Sequence, residues 1–137
     1  MQCYRNILVA LDCSPVDNAV IEQVLALALQ FGATVHLLHV IHSHTLDQER
    51  ILRQQALVML DDYTAIMQSA GIDSRVIIRS GEPENEILNE IEANSYDLLA
   101  MATHGHNFFG RILLGSVSRS LRQKITIPLL LIPTQNR

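Results

Sequence analysis

The sequence has little of several features that mark particular classes of protein. Its 137 residues include two cysteines, no tryptophan, four prolines and 4% aromatic residues. Cys3 and Cys13 form neither a Cys-x-x-Cys pair nor a disulfide framework, a pattern that suits a reducing compartment. No apolar stretch approaches the roughly 18 residues of a membrane span, and the apolar run before Asp12 is too short for a secretory signal. We therefore expect a soluble, cytoplasmic protein without a membrane partner.

Acidic residues are absent from the last third of the chain. All 14 Asp and Glu lie within residues 1–97, whereas residues 98–137 contain five basic side chains and no acid. The net charge of -4 therefore averages an acidic region and a basic region. An anion bound near the last third would meet no carboxylate repulsion from that segment.

Short apolar runs alternate along the chain with segments of helical periodicity. Strands are predicted over residues 6–11, 34–41, 75–79, 98–102 and 128–132, with helices between them. Because the strands are apolar on both faces, this alternation predicts an α/β fold with helices on both faces of a parallel sheet. With 48% hydrophobic residues, residues 1–137 are expected to form one domain. Ligands of such sheets bind beyond the C-terminal strand ends, which here carry the loops after the first and fourth strands.

The loop after the first strand carries Asp12, Ser14 and Pro15. The Ser14 hydroxyl, the proline that follows it and the carboxylate of Asp17 predict a capped helix N-terminus. Since Ser14 would serve as the cap, Asp12 is expected to have no structural role and to accept hydrogen bonds from a ligand. The alternative is that the charge of Asp12 only stabilises this helix N-terminus. The other acidic residues are expected largely on solvated helix surfaces.

The loop after the fourth strand contains Gly105, Gly110 and Gly115, half of the six glycines of the chain. It has no acidic residue and leads through Gly115-Ser116 into a predicted helix, an arrangement that favours anion binding through backbone N–H groups and the helix dipole. Arg111 is the predicted phosphate neighbour within it. Alternatively, the glycines only form turns and Ser116 only caps the helix. The segment is neither a P-loop nor a G-x-G-x-x-G fingerprint.

The sequence resembles the universal stress protein family over essentially the whole chain. The matching pieces are NILVALDCS, VHLLHV, DLLAMATHG, GRILLGSVSRSL and IPLLLIP. The family's nucleotide motif is glycine, two residues, glycine, nine residues, glycine and then Ser or Thr. Gly105, Gly115 and Ser116 match this motif, whereas Ala102 replaces the first glycine, and His106 and Phe108 depart from common neighbouring residues.

The resemblance implies an open five-stranded parallel sheet of order 3-2-1-4-5, Rossmann-like, with adenosine between strands 1 and 4. It implies a stress-response regulatory protein that binds ATP as a ligand and hydrolyses it slowly at most, with any Mg²⁺ held mainly by the phosphates. It also implies a homodimer that pairs through the strand from Pro128 to Ile132. The implied site residues are Ala10, Asp12 and Val40 at the adenine, Met101 and Ala102 beneath the ribose and phosphates, His104 and Gly105 in the following loop, and Gly115, Ser116, Val117 and Ser118 at the phosphates.

Two interpretations of Ala102 remain open. If the replaced glycine adopts a left-handed conformation, alanine costs ~1–2 kcal/mol there. If glycine is needed only for close approach, the methyl group displaces the phosphates. The alternative function is a dimeric interaction module without nucleotide, in which Ala102 and Phe108 mark the loss of the motif. An enzyme on the same scaffold is a third hypothesis, which is disfavoured because no appended substrate domain is expected at this length.

Metal and nucleic-acid binding are not predicted. Six histidines include the pairs His42-x-His44 and His104-x-His106, but a tetrahedral zinc site needs three or four ligands and no cysteine lies near either pair. His36 and His39 are expected on opposite faces of the second strand. The few basic residues of the last third lack interleaved aromatic side chains, so no nucleic-acid partner is expected.

Overall fold

The computed structural model describes residues 4–103 and 121–133. Their elements, in chain order, are β1 (Asn6–Ala10), α1 (Asp17–Phe31), β2 (Thr34–Ile41), α2 (Leu46–Ser69), β3 (Ser74–Ser80), α3 (Pro83–Ala93), β4 (Leu98–Ala102) and β5 (Leu129–Ile132). Residues 121–124 are also helical. The five strands form one parallel sheet of order β3-β2-β1-β4-β5, which confirms the predicted fold class and strand order.

The sheet separates two hydrophobic clusters, because successive side chains of a strand point to opposite faces. Ile7 and Val9 of β1 pack on one face with the buried side chains of α1 and α2. Leu8 and Ala10 pack on the other face with α3 and Leu121. This two-sided burial explains why β1 and β4 are apolar at nearly every position.

The helix ends follow local rules, with one exception. Gly32 ends α1 in a left-handed conformation, with φ of 64°, which glycine adopts without a Cβ penalty. The Thr45 hydroxyl accepts a hydrogen bond from the Gln48 N–H at the start of α2. The prediction that Ser14 caps the first helix is wrong: α1 begins at Asp17, and Val16 in the cap position makes no side-chain hydrogen bond. Among the described helices, none combines the length and apolar character that a membrane span requires.

The strand order places a crevice between β1 and β4. From β1 the chain passes to β2 and β3 on one side, then returns to β4 on the other side of β1. Neighbouring strands whose connections leave in opposite directions separate at their C-terminal ends, where open α/β sheets bind ligands. In the register, Ala10 lies opposite Met101, so residues 11–16 and Thr103 follow the strand ends at this crevice.

Candidate functional site

Two residues expected at the adenine and one expected beneath the ribose lie in one apolar cluster at the C-terminal ends of the strands. Ala10, Val40 and Met101 are all buried and share the cluster on the α3 face of the sheet. Ala10 and Met101 are direct neighbours across β1 and β4. The fold therefore brings together side chains from three strands that are distant in sequence.

Asp12 lies two residues beyond the end of β1 and is 4% exposed. Its Oδ2 atom accepts a hydrogen bond from the Ser14 hydroxyl, with an O···O distance of 2.6 Å. The Ser14 hydroxyl thus binds within the loop instead of capping α1, since two residues separate it from the first residue of the helix. The expectation that Asp12 has no structural role is therefore wrong: its carboxylate orders the β1–α1 loop (residues 11–16).

Asp17 is the first residue of α1 and is fully buried. Its Oδ1 atom accepts the N–H of Asp12 at 2.9 Å, and its Oδ2 atom accepts the N–H of Cys13 at 2.8 Å. The Tyr63 hydroxyl of α2 also donates to Oδ2, at 3.1 Å. The sequence suggested a carboxylate at the helix start, but gave no sign that its partners are the two N–H groups of the preceding loop and a tyrosine of α2.

Cys13 has an unusual backbone conformation. Its φ is 56°, and it is the only non-glycine residue of the described chain with a positive φ. A left-handed conformation costs a residue with a Cβ atom ~1–2 kcal/mol, so surrounding contacts must hold it. Burial, together with the nearby charges of Asp17 and Asp12, raises the pKa of the Cys13 thiol to about 12. The thiol is therefore protonated and poorly nucleophilic at neutral pH.

Burial also raises the pKa of Asp17, to about 6, assisted by the charge of Asp12 and opposed by the hydrogen bonds from the Asp12 N–H, Tyr63 and the Cys13 N–H. A carboxyl group whose folded-state pKa lies above its unfolded value stabilises the fold most at low pH. Its contribution is fully present below the unfolded pKa of 3.8 and is lost as the pH rises through about 6.

We therefore expect the stability advantage of the unsubstituted protein over Asp17→Asn to shrink as the pH rises. Asparagine has no titrating proton at this position, so the difference between the two proteins isolates Asp17 from other acids. Between pH 5 and pH 7 the difference in unfolding free energy should fall by about 1 kcal/mol. Urea unfolding at a series of pH values measures it. A difference that is constant or rises with pH contradicts the prediction.

Ala102 lies at the end of β4, opposite Ile132 of β5. Its side chain packs in the cluster between the sheet and helices α1 and α2. Since Cys13 is the only described non-glycine residue with a positive φ, Ala102 does not occupy the left-handed region. Of the two interpretations of the missing glycine, only that of close approach is compatible with this conformation.

The remaining predicted site residues lie outside the described residues. They are His104, Gly105, Arg111, Gly115, Ser116, Val117 and Ser118.

Within the described residues, no group of three or more metal-ligating side chains is close enough to hold an ion. His36 bonds to Asn6 and packs on Tyr96 at one face of β2, whereas His39 bonds to the Leu11 carbonyl at the other, which confirms that the two rings cannot share a site.

The strand order, the parallel pairing and the crevice between β1 and β4 define a Rossmann-like, doubly wound α/β protein. The model of the universal stress protein family matches residues 3–133. The chain belongs to the universal stress protein family.

Individual relatives agree with this assignment. Universal stress protein YxiE of Bacillus subtilis is 25% identical over an alignment of 146 residues, which covers 94% of this chain and 99% of that protein. The solved structure of MJ0577, a universal stress protein of Methanocaldococcus jannaschii, has a TM-score of 0.82 at 26% identity and covers 99% of this chain and 100% of that chain. The universal stress protein from Archaeoglobus fulgidus in complex with dAMP has a TM-score of 0.72 at 21% identity, over 96% of this chain and 99% of that chain.

Proposed function

We propose that the chain, as a single domain over residues 1–137, is a cytoplasmic stress-response regulatory protein that binds ATP in the crevice between β1 and β4. The observation that carries this proposal is that the buried Asp12 comes two residues after Ala10, which shares an apolar cluster with Val40 and Met101 at the same end of the sheet. Adenine has apolar ring faces and an amino group that donates hydrogen bonds. A carboxylate acceptor beside an apolar surface is complementary to both.

Two further facts support an adenine nucleotide. The universal stress protein from Archaeoglobus fulgidus, which has the same fold, was solved with dAMP. The segment after β4 carries Gly105, Gly115 and Ser116 with Arg111 and no acid, which suits the phosphates of ATP. Met101 and Ala102 would lie beneath the ribose, His104 would follow in the loop, and Val117 and Ser118 would complete the phosphate contacts. Any Mg²⁺ would be held mainly by phosphates and water.

ATP would act as a conformational ligand. It would shift the population of states by its differential affinity for them, with slow hydrolysis at most.

A homodimer through β5 belongs to the same proposal. β5 is a strand of four apolar residues at the end of the described sheet, and Leu129, Leu130 and Leu131 are only half-buried. An apolar edge strand of this kind needs a cover to avoid aggregation.

Titration calorimetry with Mg-ATP tests the nucleotide proposal. We expect micromolar affinity, loss of binding in Gly115→Val, and at least tenfold weaker binding in Asp12→Asn, about 1.4 kcal/mol. Asparagine can still accept the Ser14 hydrogen bond through its oxygen, but it replaces one carboxylate oxygen by an amide that donates toward the adenine amino group.

Asp97→Asn is the matched control. Asp97 accepts the N–H groups of Arg5 and Asn6 at the N-terminal ends of β1 and β4. These ends lie away from the proposed site, so the substitution of Asp97 should leave the ATP affinity unchanged. A rise in Tm with Mg-ATP accompanies binding to the native state. No binding and no rise in Tm for the unsubstituted protein would favour the nucleotide-independent interaction module instead.

A further inference from the structure

We propose that Asp17 and Tyr63 are positioning residues for the adenine site, because together they fix the β1–α1 loop that carries Asp12. The inference rests on the proposed function for its ligand. Neither residue is expected to touch the nucleotide, since Asp17 is fully buried behind the loop and Tyr63 reaches it from α2.

The first step concerns the two peptide groups that flank Asp12. The N–H of Asp12 belongs to the peptide before its Cα atom, and the N–H of Cys13 belongs to the peptide after it. Each is bonded to a different oxygen of the Asp17 carboxylate, at 2.9 and 2.8 Å. One rigid carboxylate therefore sets both backbone dihedral angles of Asp12 and, with them, the direction of its side chain.

The second step concerns the hydrogen bond that α2 donates to this carboxylate. Tyr63 is separated from Asp17 by 46 positions in the sequence and donates its hydroxyl to Oδ2 at 3.1 Å. Because Asp17 is 0% and Tyr63 5% exposed, water cannot readily replace this donor. Without it, Oδ2 would retain only the Cys13 N–H among the donors described above, and the buried negative charge would be less well compensated.

The third step concerns the loop itself. The left-handed backbone of Cys13 is unfavourable for a residue with a Cβ atom, so the loop relaxes when its anchor weakens. Relaxation around Cys13 would move Asp12, the residue directly before it. A loss at Tyr63 would therefore weaken adenine binding although the tyrosine lies on another helix.

The opposite face of the sheet provides a matched control. Tyr96 is also buried, at 8% exposure, and its hydroxyl donates to the buried carboxylate of Glu90 at 2.5 Å. Tyr96→Phe therefore removes the same kind of hydrogen bond as Tyr63→Phe. Glu90 accepts from side chains of Arg79, Asn94 and Tyr96, and no backbone N–H of the β1–α1 loop is among these donors.

The experiment compares the two phenylalanine variants of the full chain. We expect both to lower the urea midpoint, whereas only Tyr63→Phe should weaken Mg-ATP binding, by five- to tenfold in calorimetry, with Tyr96→Phe within twofold of the unsubstituted protein. Alkylation of Cys13 by iodoacetamide, followed on its own peptide by mass spectrometry, should accelerate at least threefold in Tyr63→Phe alone. This second readout reports the loop without nucleotide.

The outcomes separate this inference from the proposed function. If the unsubstituted protein does not bind Mg-ATP, the proposed function fails, and the alkylation rate still decides whether Tyr63 holds the loop. If the unsubstituted protein binds and Tyr63→Phe matches Tyr96→Phe in affinity and in alkylation, the positioning role is overturned. Should Tyr63→Phe fold too weakly for titration, Asp17→Asn takes its place with the same expected direction.

Discussion

Replacement of Glu90 by alanine should lower the free energy of unfolding by about 3 kcal/mol, the low end of the cost of breaking a buried ion pair. Glu90 is 5% exposed although it is charged. Its Oε1 atom accepts the Nε–H of Arg79 at 2.8 Å. Its Oε2 atom accepts the Tyr96 hydroxyl at 2.5 Å and the Asn94 side-chain amide at 2.8 Å. Alanine leaves these three donors without their acceptor.

The size of the effect follows from where the donors lie. The Tyr96 hydroxyl is buried, so the loss of its partner carries the desolvation cost of an unsatisfied polar group. The Arg79 side chain is 29% exposed and also bonds to Glu86, so water and Glu86 compensate part of its loss. For this reason we expect the low end of the range. Urea unfolding measures the effect as a lower midpoint at an unchanged m value.

Glu49→Ala is the matched control for this prediction. Glu49 also accepts hydrogen bonds from an arginine, Arg53, and from a hydroxyl, that of Ser80. Its ion pair is an i, i+4 pair on the helix surface, where solvent screens the interaction. We expect a much smaller shift of the urea midpoint than for Glu90→Ala. Equal shifts in the two variants would contradict the view that burial makes the Glu90 network important.

The elements of the fold could largely be read from the sequence, because local patterns specify them. β4 spans Leu98–Ala102 as its apolar run predicts, and α3 has Pro83 as its first residue, a position that favours proline. β5 begins at Leu129, one residue later than predicted, although the Pro128 carbonyl still bonds to β4. The strand order followed from the family resemblance, since periodicity alone does not say which strands pair.

The buried carboxylates could not be predicted in the same way. Glu90 belongs to a helix with several acidic residues and was expected on a solvated surface, but its partner Arg79 comes from β3 and Tyr96 from the residues before β4. Asp17 was expected only to cap a helix, and its partner Tyr63 comes from another helix. Such partners become neighbours only in the folded sheet, so the spacing within one element carries no signal for them.

The homodimer proposal leads to the other large expected effect: Leu131→Pro should convert a dimer into a monomer while leaving the sheet intact. The Leu99 N–H donates to the Pro128 carbonyl, and the Thr103 N–H donates to the Ile132 carbonyl, both at 3.0 Å. Backbone groups of alternate strand residues point to opposite sides of the strand. Residues 128, 130 and 132 therefore face β4, and the N–H of Leu131 points away from it.

Proline at this position removes only an outward-pointing donor, which an edge strand tolerates. In a dimer with two-fold symmetry the two copies of β5 run antiparallel, and the same residues contribute on both sides. The loss of the Leu131 N–H therefore occurs twice in one interface. Light scattering at micromolar concentration should give twice 15.3 kDa for the unsubstituted protein and 15.3 kDa for the variant.

Leu131→Ala separates the backbone from the side chain in this prediction. Alanine removes the leucine side chain, which packs against the cluster on the α3 face, but keeps the N–H that would pair with the partner subunit. Leu131→Ala should therefore remain dimeric, and the circular dichroism of both variants should retain the native helix and strand content. A dimeric Leu131→Pro protein would exclude pairing through this edge. A monomeric mass for the unsubstituted protein would exclude the homodimer altogether.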